Sequence, residues 1–229
     1  MPSLIQRAAA ELLGTAFLVA TVIGSGIAAQ QLSPHDTGLQ LLENSLATGA
    51  VLVALILALQ PVSASFNPVV TLVERALGHI TSTAVAALVL AQVVGGVLGA
   101  GVANLMFDLD AVSISSHHRA AQGHLLGEVV ATLGLVIIVF GASRSPRTET
   151  VAFAVGGYIA AAYWFTSSTS FANPAVTVAR TFSDTFAGIA PASVPAFVLM
   201  QLIGGAAGAG AVLLLQRPAL PGPIPQESS

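Results

Sequence analysis

Two short phrases hold the residues with the clearest chemistry: Ser65-Phe66-Asn67-Pro68-Val69-Val70-Thr71 and Ser170-Phe171-Ala172-Asn173-Pro174-Ala175-Val176-Thr177. Asn is a favoured helix N-cap and Pro a favoured first helical residue, so each Asn-Pro pair reads as a helix start. Both pairs lie between long apolar runs, which places the two starts inside a membrane. Lipid cannot satisfy free backbone N–H groups, so a helix can begin at that depth only where it is buried in protein or borders a wet cavity. The amides of Asn67 and Asn173 then offer hydrogen-bond donors to whatever occupies that cavity. Two acids, Glu11 and Glu128, stand near the beginnings of apolar segments. Carboxylates within spans are costly and usually functional, so each either holds structure or relays protons.

The rest of the chain must position these groups. Of its 229 residues 55% are hydrophobic and only 7% charged, with a mean hydropathy of +0.86, which marks an integral membrane protein and excludes an ordinary soluble domain. There is no lysine and the net charge is −3, so nothing supports nucleic-acid binding. The absence of cysteine excludes disulfides, thiolate chemistry and Cys-dependent metal sites. A spanning helix needs roughly 20 apolar residues, and six segments qualify: 8–29, 40–60, 82–105, 122–142, 150–168 and 194–215. Two further helices, 67–78 and 173–184, follow the Asn-Pro pairs. At about 1.5 Å per residue each reaches only halfway through a core of roughly 30 Å, so the pair can meet head to head at the midplane. A cleaved leader is a weaker reading of the first segment, because its apolar run is long, contains Glu11 and has a counterpart later in the chain.

That counterpart belongs to an internal repeat. Glu11-Leu12-Leu13-Gly14-Thr15 is echoed by Glu128-Val129-Val130-Ala131-Thr132, and Gln92-Val93-Val94-Gly95-Gly96 with Gly99 by Gln201-Leu202-Ile203-Gly204-Gly205 with Gly208. The order Glu, Asn-Pro, Gln-x-x-Gly-Gly thus occurs twice. Each half holds three spans, an odd number, so the second half inserts upside down relative to the first and a midplane site is expected between them. The predicted fold is an all-α membrane protein of six transmembrane helices and two re-entrant half-helices in an inverted 3+3 repeat. The halves are residues 1–110 and 111–217, within one structural domain, and 218–229 reads as a disordered, cytoplasmic tail. The glycines of the third and sixth spans suit close helix contacts.

With a cytoplasmic N-terminus, Arg7, Arg75, Arg144, Arg147 and Arg217 fall on the inner side and only Arg119 and Arg180 on the outer, in accord with the positive-inside rule. Both termini are therefore expected in the cytoplasm, with the linker around 106–121 outside. Glu74 and Arg75 read as solvated or locally paired.

Paired Asn-Pro-Ala-type motifs in an inverted six-helix repeat, with an intramembrane Glu opening each half, resemble the aquaporin, or major intrinsic protein, family over about residues 5–216. The resemblance implies a homotetramer in the cell's inner membrane, each subunit with its own pore for small neutral solutes and water, and neither cofactor nor metal. It implies a constriction at Asn67, Pro68, Val69, Asn173, Pro174 and Ala175, and it gives Glu11 and Glu128 the task of holding the half-helix loops. Val69 stands where the family has Ala, and its larger side chain is expected to pack behind the Asn and tune the constriction. Facing half-helix N-termini add positive dipole ends that repel cations and hydronium.

The selectivity filter departs from the family pattern. Val176 stands where the family places an arginine after the second Asn-Pro-Ala, and Arg180 follows one turn later, where pairing or capping at the outer surface is expected. Counting from the motifs transfers the other filter positions to Thr48 (or Ala47), Ala161 and Ser170. All four are small and uncharged, which predicts a wide filter suited to glycerol, urea or the metalloid hydroxides of arsenic and antimony. The stretch Asn-Pro-Ala-Val-Thr-Val-Ala-Arg also resembles bacterial aquaporins associated with arsenic resistance. A water-selective pore and a proton-coupled transporter using Glu11 and Glu128 are the alternatives. Ser65 replaces a His common in the family, so pH gating in the inner vestibule is not expected. His117, His118 and His124 read as loop or interface residues, not as metal ligands.

Overall fold

The computed structural model describes residues 2–147 and 149–215, so Arg217 and the expected tail lie outside the described residues. Eight α-helices follow in order: α1 (Leu4–Leu32), α2 (Thr37–Leu59), α3 (Pro68–Ala76), α4 (Ser82–Met106), α5 (Gln122–Ala142), α6 (Glu149–Phe165), α7 (Pro174–Ala179) and α8 (Val194–Leu215). Helices α1, α2, α4, α5 and α8 are long and apolar enough to cross a membrane. Helix α6 has 17 residues, and at about 1.5 Å per residue it sits at the lower limit for a span. The short helices α3 and α7 start directly after Asn67 and Asn173. Helix α7 is shorter than the expected 173–184, because after Ala179 the chain tightens into a 3₁₀ turn over Arg180–Phe182.

Polarity is distributed inside out. Glu11, Thr15, Thr71, Gln92, Glu128, Thr132, Thr177 and Gln201 are wholly buried, while Leu13, Phe17, Leu90, Leu98, Leu213 and Leu214 face outward. That arrangement suits a hydrocarbon solvent and would be unstable in water.

Close backbone contact ties each half together. A methyl group on Gly95 would overlap the carbonyl oxygen of Leu12, and one on Gly99 that of Ala16, so α4 packs directly on α1. In the second half Gly204 faces Val129 O and Gly208 faces Leu133 O, which packs α8 on α5 in the same way. The middle glycine of each set looks elsewhere: Gly96 meets Ala175 O and the Ala179 side chain, while Gly205 receives the Val69 side chain. Each half-helix is therefore seated on a glycine of the opposite half. A second close crossing, Gly49 against Gly156, joins α2 to α6.

Gly95→Leu should separate α1 from α4, because the obstructing atom is backbone and cannot yield. The expected cost is about 3 kcal/mol or more, read as a loss of thermal stability in detergent. Gly101→Leu is the control, since a Cβ there meets nothing closer than Ala111 O at 3.5 Å.

Candidate functional site

Two reciprocal hydrogen bonds join the halves at the ends of α3 and α7. Asn67 Nδ2 donates to Ala172 O and Asn173 Nδ2 donates to Phe66 O, both at 2.7 Å. Each side-chain oxygen turns back to cap its own helix, Asn67 Oδ1 accepting from Val69 N at 2.9 Å and Asn173 Oδ1 from Ala175 N at 3.0 Å. The accepting carbonyls belong to Phe66 and Ala172, whose φ values of 47° and 47° are left-handed. Non-glycine residues persist in that region only where their surroundings over-determine them.

The buried glutamates supply that constraint. Glu11 Oε2 accepts from Phe66 N at 2.7 Å and from Gln92 Nε2 at 2.8 Å, while its Oε1 accepts from Ser63 Oγ and from Ser65 N at 2.9 Å. Glu128 repeats the scheme, Oε1 taking Phe171 N at 3.0 Å and Oε2 taking Ala172 N at 2.9 Å and Gln201 Nε2 at 2.6 Å. Gln92 and Gln201 also donate to Thr71 Oγ1 and Thr177 Oγ1 at 2.9 and 2.8 Å, and those hydroxyls donate onward to Asn67 O and Asn173 O. A continuous chain Glu–Gln–Thr–Asn thus fixes each cap. In the sequence the only signal of this role is that the Gln and Thr recur at matching places in the two halves. Both carboxylates stand behind the loops, off the lumen wall.

A lumen borders both Asn residues. Ser65, Asn67, Ser170 and Asn173 bring polar groups to its wall, and Leu18, Val22, Leu52, Leu135, Val155 and Ile159 apolar ones. It continues into a vestibule lined by Arg7, Gln60, Ser65, Glu74 and His79. That vestibule therefore keeps titratable groups despite Ser65, and Ser65 Oγ donates to Glu74 Oε2 at 3.2 Å.

Of the expected constriction residues, Asn67 and Asn173 line the lumen. Pro68, Val69, Pro174 and Ala175 are buried behind it, and Val69 fills the groove at Gly205, so it tunes helix packing in place of pore width. Thr48, Ser170 and Val176 line the wall as expected. Ala161 does not: it is exposed on the far face of α6, and Tyr163 takes the wall position with its hydroxyl 3.2 Å from Thr48 Oγ1. Between α6 and Asn173 the loop holds Thr169, Ser170 and Ala172 at φ of 60°, 49° and 47°.

Arg180 also departs from expectation. It is 2% exposed, lies on the lumen wall with Val176 and Tyr163, and does not cap the outer surface. Its Nε donates to Ala187 O, and its Cζ sits 3.4 Å above the centre of the Phe171 ring. Arg119 holds the same loop by donating to Gly188 O at 2.7 Å and Phe186 O at 3.0 Å. Over this end of the lumen the linker pairs with the chain beyond α7 through Ser113 N to Phe182 O at 3.1 Å and Ser115 N to Thr181 O at 2.9 Å. Ser116 N donates to Asp184 Oδ1 at 2.8 Å and holds that exposed carboxyl below its usual pKa.

Comparison with known proteins agrees with this geometry. Residues 1–150 match the family model described as Major intrinsic protein. The chain is 47% identical over 219 residues to Aquaglyceroporin AqpS of Rhizobium meliloti, covering 95% of this chain and 93% of that one. It is 28% identical over 231 residues to Aquaporin Z of Photorhabdus laumondii, covering 93% and 98% respectively. The crystal structure of the aquaglyceroporin from Plasmodium falciparum superposes with a TM-score of 0.70 over 93% of this chain and 95% of that one, at 16% identity, a likeness of fold.

Proposed function

The chain belongs to the major intrinsic protein family, whose members are multi-pass membrane channels and not enzymes, and we propose that it is a passive pore for small neutral hydroxylated solutes. The class comprises glycerol, urea and the trivalent hydroxides of arsenic and antimony, with water passing as well. The observation that carries this reading is Val176 on the lumen wall, where a short apolar side chain leaves room for a carbon-bearing or metalloid-bearing solute. Similarity to an aquaglyceroporin over nearly the whole chain supports it. So does the mixed lining of the lumen, since hydroxyls can exchange hydrogen bonds with Asn67 and Asn173 while the rest of the solute slides on Leu52, Val155 and Ile159.

The lumen amides of Asn67 and Asn173 orient each passing hydroxyl and break a proton-conducting chain. Thr48, Tyr163, Ser170 and Val176 set the outer filter, and Glu11 and Glu128 hold the loops. The assembly is a homotetramer in the cell's inner membrane with both termini cytoplasmic, the orientation that puts most of the arginines on the inner side. A water-selective pore is the second reading, favoured by an aromatic and a cation, Tyr163 and Arg180, on the same wall.

Proteoliposomes in inward gradients of glycerol, urea and arsenous acid separate the two. A solute pore shrinks and then re-swells in all three on a timescale set by solute entry. Rapid shrinkage with no re-swelling beyond empty vesicles would establish the water-selective reading instead.

A further inference from the structure

Val176 removes the cation expected after the second Asn-Pro-Ala, yet the lumen is not without one. Residue 180 lies four positions beyond 176, which on a helix is the same face one turn farther along. Helix α7 ends at Ala179 and tightens into the 3₁₀ turn, so Arg180 remains at the lumen wall at the outer end. Its surroundings are built for a fixed guanidinium. Phe171 packs against its face at 3.4 Å, and Ala187 O accepts from Nε. The two carbonyls flanking Ala187, those of Phe186 and Gly188, are drawn into place by Arg119. No Asp or Glu forms an ion pair with Arg180 among the described residues.

A guanidinium carries five N–H donors, and only the Nε donor is engaged with the protein among the described residues. The terminal nitrogens are not sealed away without a partner, and the side chain borders the lumen. Free donors and a positive charge without an ion-pair partner among the described residues therefore stand beside the solute path, next to the Tyr163 and Thr48 hydroxyls.

We propose that Arg180 is the specificity-determining cation of the outer filter, displaced one turn outward from the usual place. It blocks metal cations and hydronium by charge and donates to the hydroxyls of an entering solute. Moving the cation outward leaves the ring of Thr48, Tyr163, Ser170 and Val176 without a charged side chain, so solute width and cation exclusion are set by different residues. The inference rests on the pore reading above and deepens it.

The test is cation and proton leak through proteoliposomes at matched protein density, driven by a potassium diffusion potential and followed with a pH dye. Arg180→Gln, checked for wild-type assembly by size-exclusion chromatography, should leak at least about tenfold faster than wild type, and Arg180→Lys should restore exclusion. Because the chain has no cysteine, Arg180→Cys provides a second, independent route. Reaction with a small ammonium-bearing thiosulfonate should restore exclusion, whereas a sulfonate-bearing reagent should not. A folding defect would not respond to the sign of the attached charge. An assembled Arg180→Gln protein as tight as wild type, or restoration by both reagents alike, would overturn the proposal. Glycerol entry through the wild-type protein is scored separately: if it fails while Arg180→Gln leaks, the solute reading falls and the role of Arg180 stands.

Discussion

Glu11→Ala is expected to yield no measurable flux and little assembled protein. The carboxylate accepts four hydrogen bonds, from Ser63 Oγ, Ser65 N, Phe66 N and Gln92 Nε2, and it is wholly buried. A buried donor stripped of its acceptor costs about 1–3 kcal/mol, so the loss amounts to several kcal/mol even if water enters the vacated space. The left-handed Phe66 is then unsupported, and with it the carbonyl that accepts from Asn173. Glu11→Gln should be impaired as well, because its amide turns one acceptor into a donor facing other donors. Size-exclusion profiles of solubilised protein and stopped-flow flux provide the check. A transporter that used Glu11 as a proton carrier would behave differently: the Gln variant would assemble normally and lose only its response to a pH gradient. Wild-type assembly and flux in Glu11→Ala would refute the supporting role.

Val176→Arg should produce the largest change in selectivity. The residue lies on the wall of the lumen beside Tyr163 and Ser170, and an arginine there brings a long cation into a section now bounded by small or neutral side chains. Arg180 stands one turn away with donors already directed at the lumen, so the second charge is repelled and cannot fold back along the same path. Glycerol and urea flux should fall by more than about tenfold, and water by no more than about two- to threefold, because water passes a narrower opening. The measurement is the ratio of solute to water permeability in one vesicle preparation. An unchanged ratio would show that Val176 does not set the width.

Much of the fold was legible because the sequence states it twice. The Asn-Pro pairs, the intramembrane glutamates and the spaced glycines recur in order, and each is recognisable by local chemistry alone. Helix caps obey rules that need no knowledge of distant contacts. The filter was only partly legible, for reasons that lie in two short stretches. Counting from Asn173 back to α6 fixes a position in sequence but not the face that α6 turns to the lumen, and Tyr163 lines it where Ala161 was expected. Its place one turn beyond Val176 suggested that Arg180 pairs or caps at the outer surface, whereas the chain tightens after Ala179 and packs the guanidinium on Phe171. The four-residue spacing between Val176 and Arg180 already held the hint. What the sequence could not supply was the partner set of ring and carbonyls that fixes the cation in place.

In the proposed pore, neutral solutes cross by diffusion along the lumen between Asn67 and Asn173. Glycerol flux through wild-type proteoliposomes, measured against concentration, temperature and an imposed pH gradient, tests it most directly. A passive pore gives flux proportional to the glycerol gradient, a temperature dependence close to that of diffusion in water, and indifference to pH difference. Saturation with glycerol, a steep temperature dependence or acceleration by a proton gradient would contradict it.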